Sequence, residues 1–214
     1  MSKGKPIGLL GGAFDPVHNG HVLMALGCVE ALDLQEVNFI PAYRSPHKSV
    51  TGAAQQHRLA MLEQALKRYP QLAVSDMELN RGGISYTIDT LSDLRGRHPQ
   101  QPLCFIMGMD AFDTLPAWHR WSELTDYAHL IVIDRKPRRD RPWDERLQAY
   151  HAERACSSPA TLHAHPGGFI HKAAVSVPHI SSSEIRARLS NHEDAGSSLP
   201  PAVYDYIKEN NLYV

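Results

Sequence analysis

Short, nearly continuous apolar runs alternate along the chain with longer stretches whose apolar residues recur every three or four positions. Runs at residues 7–10, 37–40, 72–74, 104–107, 130–133 and 174–177 predict strands. Residues 19–32 carry Val22, Leu26 and Val29 at helical spacing, residues 54–69 carry Leu59, Leu62 and Leu66, and residues 86–95 carry Ile88, Leu91 and Leu94. Two further helices, at 181–189 and 201–210, are expected to close the chain. Apolar runs that do not alternate with polar residues suit strands covered on both faces. The alternation of strand and helix therefore predicts an α/β fold: a doubly wound, mainly parallel sheet with helices on both faces. In such sheets ligands bind at the carboxyl ends of the strands, where the strand order reverses.

Two segments break the pattern. Residues 134–146, "DRKPRRDRPWDER", are charged and carry two prolines, and residues 156–168 are rich in proline and glycine. Both read as loop. The 214 residues are expected to form a single domain, 1–214, in which the pattern allows a loop-rich insertion around 134–172.

Composition narrows the class. The formal net charge of -1 gives no basis for a polyanion-binding surface, so nucleic acid is not an expected partner. Cys28, Cys104 and Cys156 stand apart from one another, form no CxxC pair, and read as reduced thiols of a cytoplasmic protein. The apolar run near the start is too short for a secretory signal, and no stretch approaches the roughly 20 apolar residues of a membrane span. Oligomeric state is left open, a homo-oligomer included. Of the 13 histidines, His163, His165 and His171 lack a convincing further metal ligand and read as surface residues.

The chemistry lies in "GGAFDPVHNGH", directly after the first strand. Gly11 and Gly12 let a ligand approach the backbone closely. Asp15-Pro16 reads as a turn, and Asn19 is a good N-cap for the helix that follows. His18 and His21 would share the first turn of that helix, with Gly20 between them keeping it bare. A helix N-terminus with unpaired N–H groups and two imidazoles is a site for an anion, most naturally a phosphate. Either histidine alone is as readily an ordinary surface residue; the whole string is not. Zinc would need three or four ligands, and none stands at useful spacing.

Near the far end, "HISSSEIRARL" contains the capping box Ser181-x-x-Glu184. By itself this is a well-capped helix. Ser182 and Arg186, four apart, share a face, and Ser183 adds a hydroxyl, which makes a second phosphate cradle. Lys48 in "IPAYRSPHK" is a free cation after the second strand, and in isolation a solvated surface lysine.

These motifs together resemble the HxGH nucleotidyltransferase superfamily, and most closely its bacterial nicotinate-mononucleotide adenylyltransferases, whose pattern is GGTFDPxHxGH. Ala13 stands where that family has Thr, Ser183 stands for Thr in its ISxTxIR motif, and Ser45 replaces the first proline of its PPHK. "GGISYTIDTL" resembles its SYT segment, Gly108 and Asp110 fall at its GxD, and "HLIVIDRKP" resembles its strand ending in Arg. The resemblance implies a Rossmann-like fold and transfer of an adenylyl group from ATP to nicotinate mononucleotide, releasing pyrophosphate. It implies His18, His21, Lys48 and Arg186 as catalytic. It implies an ATP site of Gly11, Gly12, Phe14, His18, His21, Gly108, Asp110, Ile180, Ser182, Ser183 and Arg186. For the mononucleotide it implies Ala13, Lys48, Tyr86, Thr87, Asp110, Trp118, His119 and Arg135, with Trp118 stacking on the pyridine ring; Trp121, as tryptophans more often are, is expected partly buried in the core. The sequence shows no dense carboxylate cluster, so Mg²⁺ would arrive bound to ATP, with few protein ligands.

Rival classes fit less well. A dinucleotide-dependent oxidoreductase needs GxGxxG after the first strand and an acid about 20 residues on. Here the second strand ends in Ile40-Pro41. A pantetheine-phosphate adenylyltransferase would share HxGH but is poorly matched by the SYT and "PAWHRW" segments.

Overall fold

The computed structural model describes residues 4–46, 52–133 and 143–214. Among the described residues there are seven strands: β1 (Ile7–Gly12), β2 (Glu36–Pro41), β3 (Leu72–Val74), β4 (Leu103–Gly108), β5 (His129–Ile133), β6 (Ala155–Cys156) and β7 (Ile170–Ala173). They form one sheet in the order β3-β2-β1-β4-β5-β7-β6. Every pairing is parallel. The helices are α1 (Asn19–Leu32), α2 (Gln55–Leu66), α3 (Met77–Arg81), α4 (Thr87–Arg97), α5 (Met109–Asp113), α6 (Leu124–Tyr127), α7 (Glu145–Arg154), α8 (Pro159–Ala164), α9 (Ser182–Ser190) and α10 (Pro201–Glu209). No helix among the described residues is long and apolar enough to cross a membrane.

Two cores flank the sheet, as the unbroken apolar runs require. One packs Met24, Cys28, Leu62, Ile185 and Ile207 of α1, α2, α9 and α10 against Val37, Phe39 and Ile106. The other packs Ile88, Leu91, Phe112, Leu124 and Leu147 against Phe105, Leu130 and Val132. Both central cysteines are buried, and burial pushes the Cys28 thiol up to about 12.

Three expectations are corrected. The last strand lies at Ile170–Ala173, not at 174–177. Its register ends where Ile133, the last residue of β5, pairs with Ala173. The apolar residues beyond it serve helix packing instead. Val175 lies against Gly27 of α1, so closely that any side chain at Gly27 would collide with it. Secondly, residues 156–168 are not simply loop, because Pro159 starts α8, which buries Leu162. Thirdly, of the three histidines read as surface residues only His165 is exposed. His163 donates Nε2–H to Leu32 O at 3.0 Å, and His171 is buried in β7 with Nδ1 3.0 Å from Cys156 O.

His129, at the start of β5, is fully buried. Its Nε2 donates to His165 O at 2.9 Å, and its Nδ1 accepts from Phe169 N–H at 3.3 Å. That pair of bonds uses one neutral tautomer completely, and a second ring proton would face an N–H. Burial pushes its pKa down to about 4. The unfolded chain binds this proton near pH 6.5, the folded chain only near 4, so stability falls as pH drops through that window. The loss should reach about 3 kcal/mol. Denaturant titrations between pH 7 and 4 should show His129→Gln with a flatter decline than the parent; parallel curves would sink this assignment.

Candidate active site

The sheet order reverses between β1 and β4, and the chain leaving β1 builds the site there. Phe14 adopts a left-handed conformation with φ of 49° and is buried. The Asp15–Pro16 bond is cis. His18, rather than Asn19, is the N-cap of α1. Asn19 is the first helical residue and donates Nδ2–H to Ser197 O at 3.3 Å. The reason is the second histidine: at N3, His21 accepts the His18 backbone N–H on Nδ1 at 3.3 Å, in the manner of a capping-box glutamate. The two rings stack at 3.7 Å. With Nδ1 accepting, the neutral His21 ring carries its proton on Nε2. Phe14 meets that ring edge-on at 5.1 Å and supports it from the core side.

His18 is only 2 % exposed, so it lies beneath the surface turn while His21 lies nearer solvent. Gly20 makes this possible. A Cβ there would stand 3.0 Å from His18 Nδ1 and 3.6 Å from Ile180 Cβ. The same contact shows that Ile180, which leads into α9, lies against the start of α1.

The far end of the chain therefore joins this turn. Ser181 caps α9 by accepting the Glu184 N–H at 3.1 Å. Ser182 Oγ donates to Pro16 O at 3.0 Å. Arg186 Nη1 donates to Asp15 O at 2.6 Å, and Nη2 lies 3.4 Å from Ser183 Oγ. Two helix N-termini, two imidazoles and a guanidinium thus converge at one strand end. They concentrate positive potential where a triphosphate could touch both halves.

Beside them opens a pocket of about 140 Å³. Its walls include Gly11, Gly12 and Ala13 from the end of β1, Ile40 of β2, Phe105 of β4, Tyr86 and Thr87 at the start of α4, and Trp118 and His119. The Trp118 ring stands edge-on to Phe105 at 6.4 Å, and Tyr86 lies 4.6 Å from His119. Asp89 N–H turns back to Tyr86 O at 3.2 Å, whereas the N–H groups of Thr87 and Ile88 precede the first acceptor of the helix, so this wall suits an anionic or hydrogen-bonding edge of a flat ligand. Trp121, expected in the core, is half-buried against Tyr150. Gly108 ends β4, and Asp110 is exposed on α5 just beyond it. Lys48 and Arg135 lie outside the described residues.

Two site residues were not singled out from the sequence. Glu78 of α3 is a buried acid in the pocket wall. Thr90 donates to it at 2.5 Å, Arg81 lies 4.0 Å away, and burial pushes its pKa up. Arg58 of α2 is 6 % exposed. It donates to Ala13 O and Ala42 O, each at 2.7 Å, and so braces the loops that follow β1 and β2. The sequence did hold a signal for Arg58. It falls on the buried stripe of Met61, Leu62, Ala65 and Leu66, where a charge needs a structural reason.

Comparison with known proteins shows the family and the fold. The model of the cytidylyltransferase-like family matches residues 9–188. A probable nicotinate-nucleotide adenylyltransferase of Methylococcus capsulatus is 43 % identical over 208 residues, 97 % of this chain and 99 % of that protein. One from Aeromonas salmonicida is 41 % identical, covering 97 % of each. Among solved structures, the nicotinic acid mononucleotide adenylyltransferase of Plasmodium falciparum complexed with NaAD superimposes with a TM-score of 0.72 at 22 % identity, covering 98 % of both chains. At that identity the likeness establishes the fold.

Proposed function

The chain belongs to the cytidylyltransferase-like family and groups with its nicotinate-nucleotide adenylyltransferases, and from that premise we propose how its site joins ATP to nicotinate mononucleotide to give nicotinate adenine dinucleotide and pyrophosphate, a step of NAD biosynthesis. The observation that carries the reading is the meeting of α9 with the His18–His21 turn through Asp15 and Pro16, directly beside the Trp118 pocket.

The nucleophile is the 5′-phosphate of the mononucleotide. Its second pKa of about 6 leaves it largely ionised at neutral pH, so no general base is required. It attacks the α-phosphorus of ATP in line, forming the new P–O bond as the bond to pyrophosphate breaks. The barrier comes from bringing anions together and from charge on the α-phosphoryl oxygens. Holding the reactants in line supplies about 7–11 kcal/mol. Preorganised donors supply more. His18 and His21 serve the α-phosphoryl group, and Lys48, Ser182, Ser183 and Arg186 the outer phosphates. Trp118 stacks on the pyridine ring while backbone N–H groups near Thr87 and His119 receive its carboxylate. Mg²⁺ enters as part of the nucleotide substrate.

The test is pyrophosphate release from Mg-ATP with nicotinate mononucleotide, nicotinamide mononucleotide or phosphopantetheine as acceptor. Fastest turnover is expected with the first; preference for phosphopantetheine would overturn the reading. Trp118→Ala should raise KM for the mononucleotide by about 5- to 100-fold, the range set by base–aromatic stacking. KM for ATP should change far less. An equal rise for both substrates would count against stacking.

A further inference from the structure

We propose that Tyr213, next to the end of the chain, is a positioning residue for the phosphate-binding turn, acting through Asp15. The proposal rests on the functional reading above. The Asp15 side chain is 14 % exposed. Its Oδ1 accepts two bonds, from Tyr213 O–H at 2.6 Å and from Ala53 N–H at 2.9 Å. Its Oδ2 lies 3.9 Å from Arg186 Nη1, the same nitrogen that donates to Asp15 O. Gly52 approaches the carboxylate so closely that any side chain there would collide with it. The turn before His18, the segment at Gly52 and Ala53 that leads into α2, the guanidinium of α9 and the C-terminal residues thus share one carboxylate.

The chain end is built to deliver this phenol. Ile207 of α10 is buried, and Leu212 N–H bonds back to Ile207 O at 3.0 Å. Asn211 and Tyr213 turn the backbone through left-handed conformations, with φ of 48° and 64°. A second anchor lies on α10 itself, where Tyr206 Oη meets His57 Nδ1 at 3.0 Å. Burial and the neighbouring carboxylate raise the Tyr213 pKa, so the phenol remains a donor.

The consequence concerns Arg186. A carboxylate satisfied by a phenol and an amide leaves the guanidinium loosely paired and open to phosphate. Without the phenol, Asp15 is short of one strong charge-assisted bond, and among the described residues the nearest cation that can replace it is Arg186. Closing that 3.9 Å gap would turn the guanidinium toward Asp15 and shift the turn carrying His18 and His21.

The experiment is Tyr213→Phe, which removes one oxygen and keeps the ring packed. Steady-state kinetics with each substrate, thermal unfolding, and amide hydrogen exchange of residues 14–21 and Ala53 are measured beside the parent. Expected are a kcat/KM for ATP lower by roughly 5- to 10-fold, an unchanged KM for the mononucleotide, and faster exchange at those amides. In an Asp15→Asn background the same replacement should add little. Parental ATP kinetics with parental exchange would overturn the proposal. So would an equal loss toward both substrates that tracks a lower melting temperature, since that is what a merely structural tyrosine predicts. The exchange arm needs no turnover. A parent that makes no pyrophosphate, with faster exchange in Tyr213→Phe, would therefore sink the functional reading and leave the Asp15 contact standing.

Discussion

Replacing His21 by alanine is expected to lower kcat by on the order of 10²–10³, and kcat/KM for ATP by a similar factor. The equal fall is the informative part. An imidazole that stabilises charge only as it develops on the α-phosphoryl oxygens contributes nothing to ground-state binding, so KM should hardly move. The geometry sharpens the expectation. His21 accepts the His18 backbone N–H on Nδ1, which fixes an Nε2–H donor on a ring braced by Phe14 at 5.1 Å and by His18 at 3.7 Å. His18→Ala should lose as much activity and also some stability. His18 is buried and stacks on His21, so truncating its ring leaves a void beneath the turn and removes that packing. The two variants should thus separate: comparable kcat, but a lower melting temperature for His18→Ala alone. Near-normal turnover in either, measured by pyrophosphate release, would remove that histidine from the mechanism.

How far the sequence alone reached follows from what each residue has to do. Strands such as 130–133 were legible because a doubly covered strand is filled mainly by apolar side chains, and the structure places all four of these residues in the core. The run at 174–177 carries the same apolar signal for another reason, contact with α1 at Gly27, and pattern alone does not separate the two. α7 and α8 were hidden because prolines and charges in 134–168 read as breakers, although Asp144 caps α7 and Pro159 starts α8. The motifs proposed to face phosphate were visible because histidine, glycine, serine and arginine at fixed spacing have few other uses there. Asn19 was the natural cap by composition, yet a backbone bond to His21 Nδ1 decides the cap, and that depends on the side-chain geometry of a residue three positions on. Asp15, Tyr213 and Arg58 carry contacts between distant segments, and no local pattern encodes which segments will meet.

Arg58→Met should have the second largest effect, and on a different axis. Methionine fills much of the same volume but donates nothing. Ala13 O and Ala42 O each lose a charge-assisted bond of 2.7 Å in a place water reaches poorly. Unpaired carbonyls of this kind cost about 1–3 kcal/mol each, offset in part because no guanidinium need then be desolvated. A net loss of about 3 kcal/mol should lower the melting temperature of a chain this size by roughly 6–12 °C. Ala13 and Ala42 also line the Trp118 pocket, so the variant should raise KM for the mononucleotide more than for ATP. Arg58→Lys keeps the charge but cannot span both carbonyls with one compact ammonium, so its melting temperature should fall between the two. A methionine variant that melts with the parent and binds the mononucleotide as well would mean that the loops after β1 and β2 hold their shape unaided. The buried charge on α2 would then need another explanation.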